Sequence, residues 1–348
     1  MTNAVEMPTS RGEFVCPPGR AAAVRHMLVC LDRSAAAHSC LPYARFIADA
    51  FEAKITLLHV MPSPPATQEP NRTDALEWEI ARREAEQYLS DAESSLGGAS
   101  ETVTHQIAQG DPAQQIVAVA RDLRADLTIL SSQGARGEAA QDLGSTVQHV
   151  LASAPGSVLL TQPNTSASVP PKRILVPLDG SVRGECVLPV VVDLAHLHGA
   201  EVLLVHIVTE PVSTAVLSDP QDIQLARSLA SRIQANAEGY LARLRERMLH
   251  EVASVQTLAV RRGEERQSLL DIASQRGADM VVLAAHGSTC NAERAFGSVA
   301  SYLLAHGQLP LFVVQDVPND RDTAQANGNG HAHHVARAPL SARPPEGD

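Results

Sequence analysis

Two segments of this chain set glycines and a serine at one fixed interval: nine residues separate Gly134 from Gly144-Ser145, and nine separate Gly287 from Gly297-Ser298. Each follows an aliphatic run that ends in small residues, Ser131-Ser132-Gln133 in one case and Ala284-Ala285-His286 in the other. A glycine just after a strand lets a ligand approach the backbone closely. A second glycine and a serine opening a helix would offer free backbone N–H groups, the positive end of the helix dipole and a hydroxyl, which together suit phosphate oxygens. A plain strand-to-helix turn capped by serine would use the same residues.

Other groups invite a chemical reading. Asp32 and Asp179 each stand at the end of an aliphatic run, two residues before Ser34 and Ser181. Taken as residues alone they read as helix-capping or solvent-facing carboxylates. His59 and His206 end matched runs, Leu57-Leu58-His59-Val60 and Leu204-Val205-His206-Ile207. They read better as cleft-wall residues than as catalysts. The five cysteines, Cys16, Cys30, Cys40, Cys186 and Cys290, form no CxxC pair and suggest reduced thiols without a zinc site or nucleophile.

Composition narrows the classes. Lys plus Arg number 28 against 39 Asp plus Glu, a net charge of −11 that repels a phosphate backbone, so nucleic acid is not an expected partner. Aromatics make up 3%, too few for base-stacking platforms. No apolar run is long enough to cross a membrane, and the first residues lack a signal-peptide core. The expectation is a cytoplasmic protein without membrane attachment.

An internal repeat supplies the elements that must position these residues. Met27 to Ser34 returns as Ile174 to Ser181, and Leu41-Pro42 returns as Leu188-Pro189, at an offset of 147. From Gly110 and Gly263 onward the offset is 153, through Ala125-Asp126 and Ala278-Asp279 to the closing runs Val158–Leu160 and Leu311–Val314. Short aliphatic runs alternate with helical stretches such as Asp74 to Leu96 and Gln221 to Leu249, which predicts buried parallel strands in βαβ order. The fold class expected is α/β: two tandem doubly wound domains with helices on both sheet faces and a crevice at the carboxyl ends of the strands. The boundaries read as a flexible N-terminus (1–23), a first domain (24–162), a Pro/Ser/Thr-rich linker (163–171), a second domain (172–316) and a disordered tail (317–348). The tail carries His331, His333 and His334, read as solvated rather than as a metal site.

These landmarks together resemble the universal stress protein family, with its G-x2-G-x9-G-[ST] motif, Ile-Leu-Val-Pro-x-Asp-x-Ser start, Leu-Leu-His-Val second strand and Gly110-Asp111-Pro112 segment. The resemblance implies five-stranded Rossmann-like domains that hold ATP, or ADP or AMP, with adenine near the first and second strands and phosphates on the glycine loop. Carried over, the nucleotide-binding set is Asp32, Ser131, Gly134, Gly144, Ser145 and Thr146 in the first copy. In the second it is Pro177, Asp179, Ala284, His286, Gly287, Gly297, Ser298 and Val299. Asp32 and Asp179 would act directly or through Mg²⁺.

Ser131 and Ala284 replace the motif's first glycine, and Cys30 replaces the proline kept as Pro177. Glu138 and Asp142, with Arg136, make the first loop acidic, whereas Glu293 and Arg294 nearly balance the second, so the second copy is the favoured nucleotide holder. The resemblance also implies that last strands pair domains across a pseudo-twofold axis within one chain, with homodimerisation open and no protein partner named. It points to a regulatory nucleotide-binding protein of the stress response. A nucleotide-free pairing or partner-binding scaffold and a slow ATP-hydrolysing enzyme remain the alternatives, the latter without a Walker lysine or substrate domain.

Overall fold

Branched aliphatic runs, each flanked by turn residues, fix where the strands fall. The computed structural model describes residues 24–63, 72–97, 102–133, 143–162, 169–208, 219–261, 265–287 and 296–315. The first copy runs β1 (His26–Cys30), α1 (Cys40–Phe51), β2 (Lys54–Met61), α2 (Arg72–Leu96), β3 (Val103–Gln109), α3 (Pro112–Asp122), β4 (Leu127–Ser131), α4 (Ser145–Ser153) and β5 (Ser157–Thr161). The second repeats it as β6 (Arg173–Pro177), α5 (Leu188–His198), β7 (Glu201–Val208), α6 (Pro220–Met248), β8 (Val255–Arg261), α7 (Glu265–Gln275), β9 (Met280–Ala284), α8 (Ser298–His306) and β10 (Leu311–Val314). A short 3-10 turn leads into α1 at Ala37–Ser39 and into α5 at Gly184–Val187. The expected N-terminal segment (1–23), the tail (317–348) and most of the linker lie outside the described residues.

The ten strands among the described residues form one sheet in the order β3-β2-β1-β4-β5-β10-β9-β6-β7-β8. Pairing is parallel within each copy. The copies join where β10 meets β5 antiparallel, with Leu311 opposite Leu160, Phe312 opposite Leu159 and Val313 opposite Val158. The two last strands, whose position at the end of each copy suggests sheet edges, are therefore the middle of the sheet, and β3 and β8 are its edges.

Alternation along each strand feeds two cores. Val29, Ile174, Val176 and Phe312 pack on the face covered by α1, α2, α5 and α6. Leu28, Leu175, Leu160 and Val313 pack on the face covered by α3, α4, α7 and α8. Each core draws on both copies, so neither copy buries its apolar surface alone. Across the join, Phe46 of α1 stacks on His198 of α5 at 4.5 Å between centroids, and the His198 Nε2 lies 3.0 Å from the Phe46 carbonyl.

The repeated Ala-Asp pair turns out to be a fastening at the start of the first strand. Asp126 Oδ2 accepts from the Arg25 and His26 amides at 3.0 and 3.1 Å, and Asp279 Oδ2 accepts from Lys172 and Arg173 at 2.9 and 3.0 Å.

At three turns the copies differ in kind. Gly180, Gly199 and Gly277 adopt φ of 81°, 65° and 61°, while the matched Arg33, Glu52 and Arg124 adopt 66°, 52° and 50°. L-residues meet steric resistance in this left-handed region and glycine does not.

Candidate nucleotide cleft

In the second copy, the ends of β6 and β9 and the start of α8 converge. Asp179, just past β6, accepts from the Ser181 amide at 3.0 Å and the Ser181 hydroxyl at 2.6 Å, and that hydroxyl accepts from the Gly184 amide at 3.0 Å. This local turn holds the carboxylate in place. Two glycines make room for it: a Cβ on Gly184 would stand 2.7 Å from Asp179 Oδ1, and one on Gly287 would collide with Asp179 Oδ2.

The glycine loop is tied to the strand end by the Gly297 amide, which donates to the Ala285 carbonyl at 2.7 Å. A Cβ on Gly297 would meet the Ala285 carbonyl, the His286 Cα and the Gly287 nitrogen at 3.5 to 3.8 Å. Helix α8 has no side-chain cap, so the first-turn amides of Ser298 and Val299 point from an uncapped helix start. Ser298 is exposed and Val299 half-buried, while His286 is buried and meets the loop through its backbone. Ala284 is half-buried at the strand end, and Pro177 closes β6 beside it.

The cleft wall holds His206, as expected, and two residues that the sequence did not single out, Tyr240 and Glu265. His206 Nδ1 donates to the Leu178 carbonyl at 2.7 Å, and because a carbonyl only accepts, the neutral ring presents Nε2 as an acceptor. Tyr240 of α6 meets the His206 ring edge-on at 6.1 Å. Glu265, the first residue of α7, is pushed above the ordinary carboxylate range by burial and by the Asp179 carboxylate, with His206 and Arg266 opposing. Its lead was hidden because α2 and α6 match at an offset of 152, as Tyr88 and Tyr240 show, and because Glu265 faces Pro112 in the alignment.

The first copy keeps the frame and fills it differently. Asp32 accepts from the Ser34 amide at 3.0 Å and from the Ser34 hydroxyl, and His59 Nδ1 donates to the Leu31 carbonyl at 2.7 Å. Yet Asp32 is exposed where Asp179 is half-buried, and Ala37 stands where Gly184 leaves room for the carboxylate. Arg33 pairs with Glu84 of α2 at 3.0 Å. Burial, with the Asp32 charge adding, pushes the Tyr88 hydroxyl beside them up to about 12.

Ser131, in place of the first motif glycine, is buried and its hydroxyl has no hydrogen-bond partner among the described residues. Gly144, Ser145 and Thr146 open α4, again without a side-chain cap. Gly134, Arg136, Glu138, Asp142, Glu293 and Arg294 lie outside the described residues. Burial raises the Cys30 thiol strongly and the Cys40 thiol to about 12, so neither is a thiolate nucleophile at neutral pH. Among the described residues, no group of three or more His, Cys, Asp or Glu side chains could hold a metal, and no helix is long and apolar enough to cross a membrane. A hollow of about 550 Å³ lined by Leu175, Leu269, Asp279 and Leu303 lies at the opposite ends of β6 and β9 and is separate from the glycine loop.

The sequence profile of the universal stress protein family matches residues 23–162 and again residues 170–315. This chain belongs to the universal stress protein family. No curated protein matches it. A universal stress protein from Archaeoglobus fulgidus DSM 4304 superimposes with a TM-score of 0.57 at 16% identity, covering 85% of this chain and 98% of the other. A functionally unknown protein from Pseudomonas aeruginosa PAO1 gives 0.57 at 17% identity, covering 88% and 97%. At such identities the likeness is one of fold. It extends across both halves of this universal stress protein, so the tandem arrangement is shared along with the single domain.

Proposed function

We propose that this universal stress protein binds an adenine nucleotide, ATP before ADP or AMP, in the cleft of its second copy and acts as a regulatory sensor in a stress response. The observation that carries this reading is the cradle at Asp179, Gly287 and Gly297, where two glycines keep a carboxylate and an uncapped helix start clear of any Cβ. The phosphates would lie on Gly287, Gly297, Ser298 and Val299, with the Ser298 hydroxyl and first-turn amides as donors. Adenine would sit against Pro177 and the ends of β6 and β7, as the family resemblance implies.

Asp179, with Glu265 beside it, would attract Mg²⁺ between carboxylate and phosphate, since this ion takes one or two carboxylates and completes its shell from phosphate and water. The metal would cancel the repulsion that these carboxylates otherwise exert on the phosphates. Binding and release of the nucleotide are the activity proposed.

Calorimetric titration of the full chain with ATP and Mg²⁺, beside Gly297→Asp and Gly144→Asp, tests the reading. Binding lost in Gly297→Asp and kept in Gly144→Asp is expected. No binding at millimolar ATP, with no nucleotide co-purifying, would overturn it in favour of a nucleotide-free scaffold.

A further inference from the structure

The two clefts share a backbone frame and differ at one residue in the mouth. In the second copy Gly180 has no side chain, and a Cβ there would stand 3.8 Å from Cε1 of His206. A side chain at this position therefore starts in van der Waals contact with the imidazole at the end of β7. In the first copy the matched residue is Arg33, in the same left-handed conformation at φ 66°. Its side chain leaves the end of β1 on the side of His59 and reaches α2, where the guanidinium pairs with Glu84 at 3.0 Å beside Tyr88. The corresponding residue of α6 is Asn236, which offers no such anchor. An arginine side chain thus runs from the end of β1 to α2 at a position where its counterpart has no side chain.

We infer that Arg33 occupies the base slot of the first cleft, so that the chain takes up one adenine nucleotide rather than two. This inference rests on the adenine-nucleotide reading of the second copy. The Arg33–Glu84 pair is exposed on both sides and contributes little energy by itself. The exclusion is instead one of volume: a planar base cannot share the space that the arginine stem crosses on its way to Glu84. Asp32 is exposed where Asp179 is half-buried, which adds to the difference.

The test counts equivalents of MgATP bound by the full chain. Arg33→Gly is well suited to it because glycine relieves the left-handed backbone, so the variant folds at least as well as the parent. Wild type is expected to bind one equivalent, Arg33→Gly two, Gly297→Asp none, and the Arg33→Gly/Gly297→Asp double variant one. If wild type binds one and Arg33→Gly still binds one, the role of Arg33 is overturned and the function of the second copy stands. Wild type binding two, with one lost in Arg33→Gly, would overturn it by making Arg33 a ligand-binding group. Should wild type bind none while Arg33→Gly binds one, the second-copy function falls and the role of Arg33 holds. Nothing bound by either protein overturns both.

Discussion

The Asp179 carboxylate rests against Gly287 so closely that a methyl group on the glycine would collide with it. The second motif glycine therefore does more than allow a turn. It lets the acid of one strand end lie against the loop that leaves the other.

Gly287→Ala should separate stability from binding. The atom in the way is the end of a rotatable side chain, so Asp179 can swing aside and thermal stability should fall by no more than about 1 kcal/mol. Nucleotide affinity should fall at least tenfold, about 1.4 kcal/mol, because the carboxylate is no longer in place. A melting curve and a titration on the same preparation read both numbers.

Glu265 supplies a pH signature. Its carboxyl is raised above the ordinary 4.5, first by burial and then by Asp179. A raised acid favours the folded state while protonated, and that contribution is lost as the pH climbs through the folded-state value. Glu265→Gln should then melt higher than the parent at pH 7, with the gap closing as the pH falls below about 4.5. The gain should be small, because the group is still partly in solvent and screened. Without Mg²⁺ the same variant should bind ATP more tightly, and with Mg²⁺ that advantage should shrink, which a metal titration checks.

The left-handed turns predict a reciprocal pattern. Glu52→Gly and Arg124→Gly should each stabilise, since relief of about 1–2 kcal/mol of backbone strain exceeds the 0.5–1 kcal/mol that glycine loses in chain entropy. Gly199→Ala and Gly277→Ala should destabilise by a similar margin. Denaturant midpoints at constant m-value would show both directions.

Ser131→Ala should leave the protein more stable by about 1 kcal/mol, because it removes a buried hydroxyl left without a partner while keeping the side-chain volume nearly unchanged. A destabilised variant would point instead to a water or ligand held by that hydroxyl.

Phe312→Ala tests the union of the copies. Phe312 is buried on the strand that joins them, opposite Leu159. Its truncation should cost about 3–5 kcal/mol. Calorimetry should show one transition, with calorimetric and van't Hoff enthalpies in agreement, rather than a split into two.

Much of this was readable from the chain. The repeat located eight of the ten strands, because branched runs such as Ile55 to Val60 survive in both copies. The edge strands β3 and β8 were not legible that way: Val-Thr-His-Gln-Ile-Ala-Gln and Val-Gln-Thr-Leu-Ala-Val-Arg carry polar residues on an outer strand and break the apolar run. The family resemblance alone supplied the fifth strand.

Gly287, Gly297 and Ser298 stand out in the sequence by spacing, since glycine at a strand end and serine at a helix start leave a local mark, whereas Asp179 enters through the family resemblance. Tyr240 and Glu265 left none, being ordinary helix residues brought to the cleft by packing. Arg33 was visible only as a mismatch with Gly180, and its meaning needed the backbone angle.

The antiparallel seam between β5 and β10 has a directional consequence. Strands in the two halves run opposite ways, so the two carboxyl-end clefts lie at opposite poles of the sheet. A single small molecule cannot bridge them. The two clefts are joined by a continuous hydrogen-bonded ladder of strands, so any coupling between them would run through the β5–β10 seam.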